Sequence, residues 1–297
     1  LGSQNDMGTV CLFLGGHMER DRQYIQELHQ LYLEKKIVFF IGAGVSKNSG
    51  VPTWGDLVRY FARQIHYERF PLSTDDYIRI PQYVYGMDDS FNHERYYAMI
   101  SEVFNQTYKT NPLHDLIISL DPCHIITTNF DQLLDHYGYE VIKSDRDLLQ
   151  ATTGRYLIKM HGDLDNVREI VLKEDDYLQY SHTHGLMELF IKSLLIDHTF
   201  VFVGYSLNDY NLKTFISWIN FLGQAQNVQQ HMHPNYFLTA DILSDEAYMT
   251  AYYEHQNIRV VHLNHLLDDR SQGLYQAIPL TDPIGKLTYL CLLMVKG

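Results

Sequence analysis

The stretch Ile37-Val38-Phe39-Phe40-Ile41-Gly42-Ala43-Gly44-Val45-Ser46 indicates both the fold and the place where a site should lie. Its first five residues are apolar, and such a continuous run predicts a β-strand that is buried on both faces of a parallel sheet. The glycines that follow allow a tight turn, and a helix after them would point its amino terminus at a bound anion. The same residues can equally form a strand-to-helix turn without a ligand, and this segment by itself leaves both interpretations open.

Three further segments occupy the same kind of position. Thr127-Thr128-Asn129-Phe130-Asp131 and His161-Gly162-Asp163 each follow an apolar, strand-like run, and Gly204-Tyr205-Ser206 caps another. Open α/β sheets bind their ligands in the loops at the carboxyl ends of their parallel strands. We therefore expect the four segments to converge on one nucleotide site.

Strand and helix patterns alternate along most of the chain. Alternation of this kind predicts parallel strands that are joined by right-handed crossovers through helices, such as those predicted over 20–36 and 132–137. We expect an α/β fold, a Rossmann-like, doubly wound and mainly parallel sheet, over residues 20–297. Residues 70–112 have little strand character and predict an inserted helical subdomain, and residues 1–19 are expected to form an N-terminal arm. The predicted strands are 37–41, 124–127, 156–160, 199–203, 236–240 and 258–263.

The composition of the chain narrows the class of protein. Its 297 residues are 45% hydrophobic, which is enough to bury a large core. The formal net charge of -13 argues against direct binding of nucleic acid. Cys11, Cys123 and Cys291 lie far apart, so we expect no disulfide framework, no metal site and a reducing cytoplasm. No apolar run approaches the length of a membrane span, and no membrane partner is expected.

Taken together, the four segments resemble the NAD-binding fold of the sirtuin superfamily. Gly42 to Ser46, followed by Gly50-Val51-Pro52-Thr53-Trp54, resembles the opening of that fold. Thr127 to Asp131 is similar to the sirtuin TQNID segment, and His161-Gly162 falls where the His-Gly pair of the family is expected. Gly204-Tyr205-Ser206-Leu207 looks like the GTS segment that binds ribose. The order of all four segments also matches.

The chain also departs from the classical sirtuin deacylases. After Pro52 those enzymes usually carry Asp-Phe-Arg, whereas this chain has Thr53-Trp54-Gly55. The four-cysteine zinc module is missing, because no cysteine lies between His161 and Ser206. These differences resemble the bacterial sirtuin-like domains that hydrolyse NAD in antiphage defence. The resemblance implies consumption of NAD more strongly than deacylation of proteins.

His161 and Asn129 are the candidate catalytic residues. Imidazole titrates near neutrality, so His161 can take a proton from a ribose hydroxyl or a water as the bond to nicotinamide breaks. Asn129 can donate and accept hydrogen bonds, and it can therefore position that water or hydroxyl. The alternatives are a structural histidine at a strand end and, for Asn129, the N-cap of the helix predicted to follow it.

The remaining candidates would bind NAD. The resemblance implies that Asp131 holds the nicotinamide carboxamide, and the glycine segment would lie against the pyrophosphate. Ser46 can bond a phosphate or ribose oxygen, and Ser206 an adenosine ribose, while Trp54 can cover the nicotinamide side of the cleft. The alternatives are turn serines, a core tryptophan and carboxylates that cap helices. The predicted NAD-binding residues are Gly42, Ala43, Gly44, Ser46, Trp54, Thr128, Asp131, Gly204, Ser206 and Asp209.

These features predict a cytoplasmic NAD glycohydrolase that uses NAD as its substrate and releases nicotinamide and ADP-ribose. The alternatives are an NAD-dependent protein deacylase and a sensor that binds NAD or ADP-ribose without turnover. Because a toxic NADase must be restrained, we expect control by assembly into a homo-oligomer or by a separate protein. The resemblance implies a motor ATPase, an Argonaute-like protein or a phage protein as such a partner.

Overall fold

The computed structural model describes residues 5–206, 213–219, 233–240 and 246–297, with side chains from 18 onward in the first range and from 248 in the last. Seven strands within these residues form one sheet, and every neighbouring pair is parallel. The strands are β1 (Ile37–Ile41), β2 (His124–Thr127), β3 (Glu140–Ile142), β4 (Tyr156–Lys159), β5 (Thr199–Val203), β6 (Asn235–Thr239) and β7 (Ile258–His262). Their order in the sheet is β3-β4-β2-β1-β5-β6-β7.

Helices connect the strands and cover both faces of the sheet. Short 3-10 turns at Phe91–His93, Leu164–Glu169 and Leu263–Leu266 and a helical segment over 213–219 complete the described elements. The helices are α1 (Asn5–Leu33), α2 (Ala43–Lys47), α3 (Trp54–Gln64), α4 (Asp76–Met87), α5 (Glu94–Val103), α6 (Pro112–Ser119), α7 (Asp145–Gln150), α8 (Glu174–Leu178), α9 (Tyr180–Thr183), α10 (Gly185–Asp197), α11 (Glu246–His255), α12 (Gln272–Ala277) and α13 (Pro283–Lys296).

Strand β1 is apolar throughout because both of its faces are buried. Ile37, Phe39 and Ile41 enter one hydrophobic cluster, which is shared with α1, α6 and α13. Val38 and Phe40 enter a second cluster on the opposite face, which is shared with α10 and the 213–219 segment. A parallel sheet with helices on both faces needs strands of this kind. The doubly wound, Rossmann-like fold is confirmed.

The winding of the chain reverses at β1. From β1 the chain moves to β2 and then to β3 at the edge, and β4 fills the place between them. The chain then crosses to the other side of β1 and forms β5, β6 and β7 in order. The carboxyl ends of β1 and β5 are adjacent, with Ile41 paired to Val203. Ligands of open α/β sheets bind outside the carboxyl ends of the strands at such a reversal. The topology therefore places the glycine segments of β1 and β5 at the expected position of a ligand.

Helices α3, α4 and α5 lie between β1 and β2 and have a hydrophobic cluster of their own. In this cluster Phe61 stacks on Tyr96, with ring centroids 5.3 Å apart. Phe130, from the segment after β2, packs into the same cluster. Helices α4 and α5 of the 70–112 region therefore pack directly beside the loop that carries Asn129.

Two elements differ from the sequence-based expectation. Helix α1 begins at Asn5 rather than at Arg20, and no proline interrupts residues 5–33. Strand β3 was not predicted, because it has three residues, lies at the edge of the sheet and buries only Ile142 fully. No helix in the described part of the chain combines the length and apolar character that crossing a bilayer requires.

Candidate functional site

The loops after β1 and β5 meet through their backbones. Gly42 donates its N–H to Val203 O at 2.8 Å, and Gly44 donates to Gly204 O at 2.9 Å. A Cβ added to Gly42 would lie 2.7 Å from Gly204 O, and one added to Gly44 would lie 2.9 Å from Gly204 Cα. Gly204 itself has a φ of 79°, a conformation that favours glycine. The close contact between the two loops thus requires glycine at all three positions, even without a bound ligand.

Several N–H groups of the first loop are already used by the fold. In addition to the bonds of Gly42 and Gly44, Val45 donates its N–H to Gly42 O at 3.2 Å. Helix α2 has five residues and receives no side-chain cap from Gly42. Any anion at this loop therefore needs further hydrogen-bond donors or a cation from elsewhere in the chain.

Asn129 lies at the carboxyl end of β2 and is 9% exposed. Its side-chain nitrogen donates to Gly42 O at 3.2 Å and to Ser46 Oγ at 3.3 Å. Its backbone N–H donates to Thr127 Oγ1 at 3.0 Å. The amide is therefore fixed against the glycine loop, with both of its hydrogens facing that loop.

The helix predicted over Gln132–Tyr137 is wrong, since this segment consists of turns. Leu133 packs into the cluster of the inserted helices, whereas Leu134 packs into a cluster beneath the sheet. The two neighbouring leucines thus contact separate cores, and Gly138 reverses the chain with a φ of 82°. The N-cap alternative for Asn129 therefore does not apply. Asp131 Oδ1 instead accepts the N–H of Leu133 at 3.1 Å.

His161 follows β4 and is 5% exposed. Its ring packs against the edges of Tyr177 and Tyr180, at centroid distances of 5.3 and 6.3 Å. Burial, with a smaller contribution from His184, lowers the pKa of His161 to about 3. The imidazole is therefore neutral at physiological pH and can accept a proton.

The backbone beside His161 is held in place from the following segment. Val171 donates its N–H to His161 O at 3.0 Å. Gly162 has a φ of 73°, and a Cβ added there would lie 2.9 Å from Glu169 O. The glycine of the His-Gly pair thus permits a turn that only a residue without a side chain makes easily.

One cavity brings the catalytic candidates together. Asn129 and His161 both line it, and Phe104 and Tyr177 close its sides. Helix α3 places Trp54 there, because a capping box between Thr53 and Asp56 fixes the start of that helix. The predicted site residues that line this cavity are Ala43, Ser46, Trp54, Thr128, Asn129, Asp131 and His161.

Two further cavities continue from the first along the strand ends. The middle cavity shares Ala43 and Trp54 with the first, and it also contains Gly44, Gly204 and Ser206. The third cavity shares the last three of these residues with the middle one and reaches β6 at Leu238 and Thr239. The three cavities therefore lie side by side along the strand ends. Of the predicted site residues, Gly42 lines none of these three cavities, because Gly204 and Tyr205 cover it. Asp209 lies outside the described residues.

Trp54 carries a buried donor at this site. Its Nε1 finds no acceptor among the side chains and backbone groups that the structure describes. A buried N–H without a partner costs about 1–3 kcal/mol. Because Trp54 lines both the first and the middle cavity, a ligand oxygen there would remove this cost.

Sequence reasoning missed several polar residues around these loops. The Tyr205 hydroxyl lies 2.8 Å from Thr128 Oγ1 and donates to Ile41 O at 3.1 Å, so it bridges three strand ends. His114 is fully buried behind Ser46, with its Nε2 3.4 Å from Ser46 Oγ. Arg59 lines the middle cavity. Lys159 is buried below the site, and nothing in the local sequence pattern marks that burial.

Within the described ranges, no group of three or more His, Cys, Asp or Glu side chains is placed to hold a metal ion.

Comparisons with known proteins agree with this geometry. Residues 123–261 match the family described as the SIR2-like domain. Defense-associated sirtuin 2 of Bacillus subtilis is 33% identical over 255 residues, which is 82% of this chain and 25% of that protein. The NAD(+) hydrolase ThsA of Bacillus cereus is 30% identical over 206 residues, covering 65% of this chain and 42% of ThsA. ThsA of Cytobacillus dafuensis is 28% identical over 218 residues, covering 71% and 42%.

The chain thus spans between a quarter and a half of the length of these relatives. A solved structure from work on Sir2 enzymes superposes with a TM-score of 0.51 at 14% identity, covering 94% of this chain and 98% of the other. At that identity the likeness shows the fold, and it agrees with the family match. The chain therefore carries a SIR2-like domain.

Proposed function

We propose that this chain hydrolyses the N-glycosidic bond between nicotinamide and ribose in NAD. The observation that carries the proposal is that the Asn129 amide and the neutral His161 imidazole line the same cavity. The names of the ThsA relatives, NAD(+) hydrolases, support it. We further propose that the activity serves antiphage defence, as the name of the Bacillus subtilis relative suggests.

The chemistry asks little of the protein beyond positioning. As the bond breaks, the pyridinium nitrogen keeps the electron pair and nicotinamide leaves as a neutral molecule. Water adds to the ribose carbon, which carries partial positive charge in an oxocarbenium-like transition state, and loses one proton. The products are nicotinamide, ADP-ribose and that proton. Orientation of the water and removal of the proton are the steps that side chains can accelerate.

His161 and Asn129 match these two tasks. His161 is deprotonated at neutral pH and would accept the proton from the attacking water. Both amide hydrogens of Asn129 point to the glycine loop, so its amide oxygen is the group that would accept a hydrogen bond from the water or a ribose hydroxyl. Asp131 lines the same cavity and would hold the nicotinamide carboxamide.

The row of cavities fits an extended dinucleotide. The nicotinamide ribose would occupy the first cavity, the diphosphate the middle one and the adenosine the third. Arg59 lines the middle cavity, and Asp56 holds its guanidinium at 2.7 Å. A guanidinium can bind phosphate oxygens in a bidentate manner. Arg59 would therefore supply charge that the occupied N–H groups of the glycine loop do not.

The proposal is tested by incubating the purified protein with NAD and separating the products by HPLC. We expect nicotinamide and ADP-ribose in equal amounts, and a loss of about 100-fold or more in Asn129→Ala. The exposed Asn105→Ala is the matched control and should match wild type. NAD that stays intact with wild type at every protein concentration would overturn the proposal, and calorimetric binding of ADP-ribose without turnover would favour a sensor.

The same assay tests control by assembly. We propose that identical copies, or a separate activator protein, regulate this site. A rate per protomer that rises with protein concentration would support activation through self-assembly. A constant rate per protomer over a range in which the oligomeric state changes would contradict it.

A further inference from the structure

A fully buried ammonium lies beneath the two loops that carry the catalytic candidates. Lys159, the last residue of β4, is 0% exposed. Its Nζ donates to Asp131 O at 2.8 Å, to Asp163 Oδ2 at 2.8 Å and to Asp135 Oδ1 at 3.4 Å. An ammonium has three hydrogens, and here each has an acceptor. The buried charge is thus compensated by specific partners.

The positions of these acceptors in the sequence link Lys159 to the site. Asp131 lies two residues after Asn129, and Asp163 lies two residues after His161. One ammonium therefore holds the loop after β2 by a backbone oxygen and the loop after β4 by a carboxylate. We propose that Lys159 is a positioning residue that sets the Asn129 amide and the His161 imidazole at their working separation. This proposal rests on the function proposed above.

Asp163 completes the link. Its Oδ2 accepts from Lys159, while its Oδ1 accepts the N–H of Asp165 at 2.7 Å and so starts the turn after His161. Burial acts to raise the pKa of this carboxyl, but hydrogen bonds from Lys143 and Lys159 outweigh burial and lower it. The carboxylate is therefore ionised at neutral pH and keeps both loops on one anchor.

A variant without Lys159 must fold before its activity can test this role. Removal of one partner of a buried ion pair destabilises a protein when it leaves the other charge unpaired, so folding of Lys159→Met depends on whether Asp163 keeps another cation. Lys143, which is 29% exposed at its side chain, also contacts Asp163 Oδ2 at 2.8 Å and would keep that carboxylate paired. Without Lys159, the link from Asp131 O to the Asp163 carboxylate is lost, although the backbone hydrogen bond from Leu164 N–H to Phe130 O at 3.1 Å still joins the two loops.

The experiment compares Lys159→Met with Lys143→Met in the full chain. NAD cleavage gives kcat and KM, calorimetry gives the affinity for ADP-ribose, and hydrogen–deuterium exchange reports on segments 127–131 and 161–163. We expect Lys159→Met to lower kcat by about 100-fold, the size of effect that a misplacement of 1 Å can have, with ADP-ribose affinity unchanged. Both segments should exchange faster. Lys143→Met should resemble wild type in every measurement.

Each outcome decides a separate point. A kcat in Lys159→Met that equals that of wild type, or an equal loss in Lys143→Met, overturns the positioning role. If Lys159→Met does not fold, Asp163→Asn replaces it, since this change weakens the link on the His161 side and keeps the ammonium. Unchanged kcat and exchange in Asp163→Asn would likewise overturn the role. If wild type releases no nicotinamide, the proposed function fails, and the exchange data still decide whether Lys159 ties the loops.

Discussion

Two pairs of loops at the same edge of the sheet are built in different ways. The loops after β1 and β5 contact each other through backbone atoms, and Gly42, Gly44 and Gly204 are required because no Cβ fits between them. The loops after β2 and β4 share a backbone hydrogen bond, from Leu164 N–H to Phe130 O, but they are also joined by the buried side chain of Lys159. They place Asn129 and His161 in the lining of one cavity. Under the proposed function, the glycine motif marks the place of the site, whereas Asn129 and His161 would supply its chemistry.

If this distinction is right, substitutions in the two pairs should have separable effects. Substitutions of Asn129 or His161 should remove activity and leave the fold stable. Substitutions of Gly42, Gly44 or Gly204 should destabilise the fold, and any loss of activity should follow from that loss of stability.

The largest effect is expected for His161→Ala. Loss of a general base costs typically about 10²- to 10⁴-fold in rate, and kcat should fall by that amount while ADP-ribose still binds. The exposed His136→Ala, in the turn after β2, is the matched control and should keep wild-type activity. Nicotinamide release by HPLC gives the rates. Equal activity in the His161 variant would remove this residue from the mechanism.

The next effect is expected for Gly42→Ala. The new Cβ would lie 2.7 Å from Gly204 O and 2.9 Å from the ring of Tyr205, so one loop must move. We expect a loss of about 2–3 kcal/mol in the free energy of unfolding, measured by chemical denaturation. Gly86→Ala is the control, because Gly86 lies within α4 with nothing within 4 Å of a new Cβ, and it should be neutral or stabilising. A stable Gly42 variant that fails to bind ADP-ribose would show that the glycine serves the ligand instead.

The pH dependence should separate activity from stability at the same histidine. Because burial holds the pKa of His161 at about 3, kcat/KM should show no acid limb near pH 6.5 as the pH falls from 8 to 5. Stability should behave differently. The unfolded chain binds a proton at His161 below about pH 6.5 and the folded chain does not, so the free energy of unfolding decreases as the pH falls from 6.5 towards 3.

His161→Gln isolates this contribution. Burial also lowers the pKa of His124, to about 4, and that of His114, so wild type and variant share a background loss of stability in acid. The decrease in stability between pH 7 and pH 5 should be smaller in the variant. If the free energy of unfolding fell equally with pH in both proteins, His161 would take up its proton in the folded chain over the same pH range as in the unfolded chain.

The sequence predicts the first pair of loops better than the second, for a physical reason. Strand burial and glycine turns are local properties, so six strands and the position of the glycine loops follow from apolar runs and their neighbours. The contacts of Lys159 are not local. A lysine at the end of a strand normally reaches water, and only the convergence of Asp131 and Asp163 from separate loops allows it to be buried.

The errors have the same origin. Residues 132–137 have the pattern of a helix, but Leu133 and Leu134 are drawn into two different cores. The catalytic candidates could be named from their place after strands. Lys159, which joins their loops, and His114, which lies behind Ser46, could be found only once the chain was folded.

Trp54 lies between the two pairs of loops and should give the smallest effect, with opposite signs for folding and binding. Trp54→Phe keeps a smaller aromatic ring and removes the unpartnered Nε1, so the gain from removing that donor should offset the lost packing. The free energy of unfolding should then stay the same or rise by about 1 kcal/mol. If Nε1 donates to a ligand oxygen, ADP-ribose should bind roughly fivefold to tenfold more weakly, which corresponds to about one hydrogen bond. Calorimetry and thermal unfolding of the same samples give both quantities. Stability that falls while affinity is unchanged would assign Trp54 to the core of the inserted helices, where its ring already packs on Tyr77 at 5.3 Å.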